Sequence, residues 1–132
     1  MGRIIVTGAG QAGASLTARL RKDGYEGEIV LIGAEAHPPY QRPPLSKAYL
    51  LGDMALERLF LWPESVYADQ GITLRLGTTV SAIDPAAKTL TLGDEVLEYD
   101  QLALTTGSAP RRLPSAIGGD LGGVFTVRDL AD

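Results

Sequence analysis

The chain has no cysteine among its 132 residues. Structural disulfides, thiolate metal sites and an internal redox disulfide are therefore excluded. Histidine is nearly as scarce: the single one, His37, is followed by Pro38 and Pro39. One imidazole in a proline-rich loop supplies neither a zinc ligand set nor the base of a Ser-His-Asp arrangement, so no metal is expected. No apolar run approaches the ~20 residues of a membrane span. Positive charge is not in excess: 12 Lys and Arg stand against 16 Asp and Glu, a net charge of −4. Nucleic acid is disfavoured as a partner, because its binding needs clustered positive charge. The adjacent basic pairs Arg21-Lys22 and Arg111-Arg112 extend into no patch and read as solvated surface. The first residues run straight into a β-strand pattern, without a charged leader and a longer apolar stretch. A cytoplasmic location with no membrane contact is the expectation.

What is present begins at the opening stretch, Arg3-Ile-Ile-Val-Thr-Gly8-Ala-Gly10-Gln-Ala-Gly13. A β-branched run leads into Gly-x-Gly-x-x-Gly. An Ala- and Leu-rich helical pattern follows, then a second apolar run, Ile29-Val-Leu-Ile32, and then Glu35. Strand, glycine turn, helix, strand and acid in this order form the dinucleotide-binding fingerprint. Gly8 permits the tight turn out of the strand, Gly10 lets the backbone approach a pyrophosphate, and Gly13 lets the helix pack close to the sheet. The helix N-terminus offers free N–H groups to the phosphates. Glu35 stands about where a ribose-binding acid belongs.

The pattern predicts an α/β, Rossmann-like, three-layer domain with a parallel sheet and a small antiparallel β-meander. Strands are expected at residues 3–7 and 28–32, with a helix at 11–23 capped by Gly24 as the crossover between them. Residues 38–47 carry two proline pairs and open as an irregular loop, with a short helix expected at 46–51. Residues 54–61 read as an edge or a short connecting segment. A helix is expected at 63–70, with Pro63 near its start and Gly71 as its stop, and a third parallel strand at 72–76. The meander is expected at 79–84, 88–92 and 96–99, followed by strands at 101–105 and 124–127 and the start of a helix at 128–132.

Three blocks carry a family resemblance: Val6-Thr-Gly8-Ala-Gly10-Gln-Ala-Gly13, Pro39-Tyr-Gln-Arg42-Pro-Pro-Leu-Ser-Lys47-Ala-Tyr-Leu50, and Tyr99-Asp100-Gln-Leu-Ala-Leu-Thr-Thr106-Gly107. With these, the whole chain resembles the N-terminal FAD-binding part of the pyridine-nucleotide-dependent flavoprotein oxidoreductases, in the ferredoxin and rubredoxin reductase branch. The resemblance implies FAD as cofactor, NAD(P)H as co-substrate of the full-length enzyme and a ferredoxin or rubredoxin as electron acceptor. It also implies that residues 1–132 are an incomplete FAD-binding domain, lacking the NAD(P)H-binding and C-terminal interface domains of a roughly threefold longer enzyme.

Residue by residue, the resemblance places Gly8, Gly10, Ala12 and Gly13 along the pyrophosphate and Glu35 on the adenosine ribose. Arg42 and Lys47 match FAD-contacting positions, with Lys47 close to the isoalloxazine and assigned the catalytic role. Val80 matches a position whose backbone meets the adenine. Thr106 and Gly107 would pass close to the flavin, and Arg128 matches a late arginine that touches FAD. Two departures stand out. The family often has an acid at the position of Ala34, and Thr105 replaces the usual alanine of Ala-Thr-Gly, adding a hydroxyl expected to change little.

Other readings of the same residues stay open. Arg42 and Lys47 read either as solvated loop charges or as cations preorganised by the flanking prolines. Tyr40 and Tyr49 read as ring-stacking or as packing residues, and Trp62 as core or interface. Asp84, Asp94, Glu95 and Glu98 read as surface charges near meander turns. An NAD-binding dehydrogenase or sensor domain, or a non-catalytic Rossmann-like module, would share the fingerprint. The former would favour a Tyr-x-x-x-Lys pair, which the sequence lacks.

Overall fold

The computed structural model describes every residue, Met1–Asp132, in two compact units. The first comprises Met1–Tyr40 and Phe60–Gly107, and the second Gln41–Leu59 and Ser108–Asp132.

In the first unit, β1 (Arg3–Thr7) and β2 (Glu28–Ile32) pair in parallel across the crossover helix α1 (Gln11–Lys22). The short helix α2 (Glu64–Asp69) leads into β3 (Ile72–Arg75), which adds to β2, and β7 (Gln101–Leu104) adds to the other side of β1. The sheet order is β3-β2-β1-β7, all parallel. Runs of β-branched residues can be buried on both faces only if both faces are covered, and here they are. Ile4, Val6, Ile29, Leu31 and Ile72 form one cluster with Leu16 and Leu20 of α1 and Tyr67 of α2. Ile5, Val30 and Ile32 form the other with Leu90 and Leu92.

Those two leucines belong to the antiparallel meander β4 (Ala82–Asp84), β5 (Thr89–Leu92) and β6 (Glu95–Glu98). Helix, parallel sheet and meander are the three expected layers. Arg75 also grips Glu95 through two hydrogen bonds, at 2.9 and 2.6 Å, which hold the Glu95 carboxyl below the usual carboxylate range. A partly exposed ion pair stabilises less than one fully buried leucine. Leu90 and Leu92 therefore do more than this pair to hold the meander down.

Several elements differ from expectation. Arg21 is not a solvated charge. Its guanidinium donates to the carbonyls of Tyr25, Gly27, Gln70 and Gly71, tying the end of α1 to the turn after α2. β4 starts three residues and β5 one residue later than expected, although the Ser81 N–H still donates to the Thr91 carbonyl and the Lys88 carbonyl accepts the Tyr99 N–H, and β6 starts one residue earlier.

In the second unit, the expected helix at 46–51 is instead a 3₁₀ helix at Pro43–Ser46, followed by hydrogen-bonded turns through residues 47–53. Prolines at the first two helical positions start the element, because a missing N–H does no harm there. A second 3₁₀ turn spans Leu56–Arg58, within the expected connecting segment. Residues 124–127 form no strand: Val124, Phe125 and Val127 are exposed and make no ladder, and β-propensity acts only on a pleated, half-buried surface. Residues 128–132 form an aspartate-capped turn and not a helix. The Asp132 carboxylate accepts the backbone N–H groups of Arg128 and Asp129, which holds its pKa down. Such side-chain bonds compete with helical ones. No helix of the structure is long and apolar enough to cross a membrane.

Candidate functional site

The carboxyl ends of β1, β2 and β7 meet at one edge of the first unit. β1 connects through α1 to β2 on one side, and β7 lies on its other side, so the connections diverge at β1. Ligands of open α/β sheets bind at such a switch point. Gly8 leaves β1 with φ +112°, a conformation that disfavours other residues, and its N–H donates to the Ile32 carbonyl at 2.8 Å. A Cβ at Gly8 would strike the Thr105 carbonyl. A Cβ at Gly13 would strike the Gly8 carbonyl and reach Leu31 Cδ1 and Thr105 Oγ1 at 3.0 Å. These two glycines are required by close packing of backbone and helix.

Gly10 differs: a Cβ there would meet nothing within 4 Å. It is the N-cap of α1, with no side-chain cap, no acid in the first turn, and Arg19, Arg21 and Lys22 in the last. The charge arrangement leaves the N-terminal end of α1 electropositive and its first N–H groups available to an anion. Ala12, in the same first turn, is exposed. The open space over Gly10 and the acid-free helix start fit a pyrophosphate.

Glu35 lies just beyond β2. Its carbonyl accepts the Gly77 N–H, and the Gly33 carbonyl accepts the Thr78 N–H, both at 2.9 Å. The loop after β3 is thereby sewn to the loop after β2, which brings Val80 to the same edge; Val80 packs on the Leu90 cluster. Tyr40 is buried and donates its hydroxyl to Glu35 Oε2. The ring packs in the interior, one of the two readings of the sequence, and the hydroxyl adds a polar role. The bond runs from a loop residue to an acid five positions earlier, and the proline-rich sequence gave no sign of it.

Thr106 and Gly107 follow β7 and are exposed, with Gly107 at φ +72°. Thr105, beside them, does more than expected: its hydroxyl donates to the Gly8 carbonyl at 2.8 Å, latching the end of β7 to the glycine turn.

In the second unit, Arg42 and Arg128 come together across 86 residues of sequence. Arg42 Nη1 donates to the Arg128 carbonyl at 2.7 Å, and Arg128 Nε donates to the Ser108 carbonyl at 2.8 Å. Lys47 is exposed, with its Nζ 3.3 Å from the Pro43 carbonyl and from Ser46 Oγ, so its ammonium stays near its own turn.

Known proteins share the sequence and the fold of this chain. Residues 2–132 match the family model described as pyridine nucleotide-disulphide oxidoreductase. The chain is 45% identical over 131 residues to a probable ferredoxin reductase, CtmF, of Castellaniella defragrans, covering 98% of this chain and 32% of that protein. It is also 45% identical over 130 residues to rhodocoxin reductase of Rhodococcus erythropolis, covering 98% and 30%. The fold matches the crystal structure of the covalent putidaredoxin reductase–putidaredoxin complex with a TM-score of 0.83 and 42% identity, over 89% of this chain and 28% of that one. The chain thus spans about a third of the length of the curated relatives it matches.

Proposed function

Because the chain belongs to the pyridine nucleotide-disulphide oxidoreductase family, we propose that it is the FAD-binding module of an NAD(P)H-dependent reductase that passes electrons to a ferredoxin or rubredoxin. The observation that carries the reading is the glycine turn: two glycines are filled by the fold, and the third, Gly10, faces open space at an acid-free helix start. Bound FAD supplies the exchange between two-electron nicotinamide chemistry and one-electron carriers. The protein supplies position. Gly8, Gly10, Ala12 and Gly13 hold the pyrophosphate, Glu35 accepts hydrogen bonds from the adenosine ribose, and the Val80 backbone meets the adenine. By the family resemblance, Thr106 and Gly107 pass near the flavin, and Arg42, Lys47 and Arg128 are its expected cationic contacts. A cation such as Lys47 stabilises negative charge developing on the ring.

The test is a titration of the purified chain with FAD and, separately, with NAD⁺. Quenching of flavin fluorescence, with FAD bound more tightly than NAD⁺, is expected. Glu35→Ala should weaken FAD by about 1–3 kcal/mol, the scale of a hydrogen bond to a charged group. Tighter binding of NAD⁺ would favour a dehydrogenase or sensor domain, and binding of neither a non-catalytic module.

A further inference from the structure

The Glu35 carboxylate is set by a neighbour that is itself held rigidly. Pro38, Pro39 and Tyr40 are all buried. The Pro39 carbonyl accepts the Leu61 N–H at 3.0 Å, and Tyr40 forms an antiparallel bridge with Phe60. The Tyr40 ring is 4% exposed, and its hydroxyl donates to Glu35 Oε2. A free glutamate has three rotatable side-chain bonds, and holding it in one geometry gives up that freedom. A donor anchored by two prolines and a backbone bridge meets that entropy before any ligand arrives. A charge-assisted hydrogen bond is also stronger than a neutral one.

We propose that Tyr40 is a positioning residue for ribose recognition: it orients the Glu35 carboxylate toward the vicinal diol of the adenosine, and so sets the preference of this site for a ribonucleotide with both hydroxyls. The inference rests on the reading of Glu35 as the ribose-binding acid and adds to it the residue that makes the acid selective. The residue before Glu35 is Ala34, so no second acid stands beside it. Selectivity therefore concentrates on one carboxylate and on what holds it.

The experiment measures the dissociation constants of ADP and of 2′,3′-dideoxy-ADP for the unaltered chain, Tyr40→Phe, Glu35→Ala and the double variant. Folding of each is checked by circular dichroism. The unaltered chain should prefer ADP by about tenfold or more, the scale of one charged hydrogen bond. Tyr40→Phe should lose most of that preference while binding the dideoxy nucleotide as before, because the glycine turn is untouched. In the Glu35→Ala background, Tyr40→Phe should have no further effect on the ratio. Tyr40→Phe with the full preference, or with both nucleotides weakened alike, overturns the positioning role. Full preference in Glu35→Ala, or no ADP binding by the unaltered chain, instead overturns the ribose reading beneath it.

Discussion

A side chain added at Gly10 projects into open space, whereas one added at Gly13, three residues on, strikes the Gly8 carbonyl. The two positions should therefore fail differently. Gly10→Val should cost about 1 kcal/mol of stability, the typical scale of losing a favoured N-cap residue, and leave the domain folded, yet abolish FAD binding. Gly13→Val should destabilise by about 1–3 kcal/mol or more through overpacking. Urea denaturation and FAD titration on the same samples separate the two outcomes. Thr105 is the residue whose role the sequence hid. Its hydroxyl reads as a small addition to a flavin motif, but its acceptor, the Gly8 carbonyl, lies 97 residues away and becomes visible only when β7 docks beside β1. Thr105→Val keeps the shape and removes the bond, and should cost about 1 kcal/mol of stability; Thr105→Ser should recover most of it. Equal stability of the Val and Ser variants would mean that the latch does not stabilise the turn.

At the scale of elements, apolar patterning placed the parallel strands and α1, which bury apolar faces. Turn residues placed α2 and the meander, since β4 is exposed throughout and only β5 buries leucines. Both signals failed where the deciding partner is remote or is a side chain. Arg21 reads as half of a surface pair, but four backbone carbonyls converge on it from two turns. Arg21→Met should destabilise by about 2–3 kcal/mol, and Arg21→Lys should recover little, since an ammonium cannot replace a planar fork of donors. Residues 124–127 have strand-like composition and no ladder, and residues 128–132 follow the Asp132 carboxylate in place of a helix.

Tyr67 makes a pH prediction for the α2 layer. It is 2% exposed, its hydroxyl has no hydrogen-bond partner, and burial raises its pKa from 10.0 to about 12. The unfolded chain then loses this proton first. The contribution is fully present below pH 10 and falls as pH rises toward 12, with a limiting slope of ~1.4 kcal/mol per pH unit. Tyr67→Phe should remove that slope from alkaline denaturation curves without loss of stability at neutral pH, because no hydrogen bond is broken. An unchanged alkaline slope in the variant would contradict the assignment.

At the scale of the whole molecule, the chain carries one Gly-x-Gly-x-x-Gly, which the proposed function gives to FAD and not to a nicotinamide cofactor. Mixed with FAD and NADH, it should show no rapid flavin reduction in stopped-flow absorbance; rapid bleaching would show that the hydride site lies within these residues. The candidate site was legible in the sequence wherever backbone conformation demands glycine, and at Glu35 by its distance from the turn. Tyr40 and Thr105, which hold the acid and the turn in place, were not, because hydroxyl bonds to loop groups leave no periodic trace. The most direct test of the FAD assignment is an ¹⁵N–¹H NMR titration of the chain with FAD. Chemical-shift changes are expected at the amides of residues 8–13, with others at Glu35, Val80 and Gly107 and none in Gly10→Val. Binding that leaves the glycine-turn amides unmoved, or that survives unchanged in Gly10→Val, would contradict that assignment.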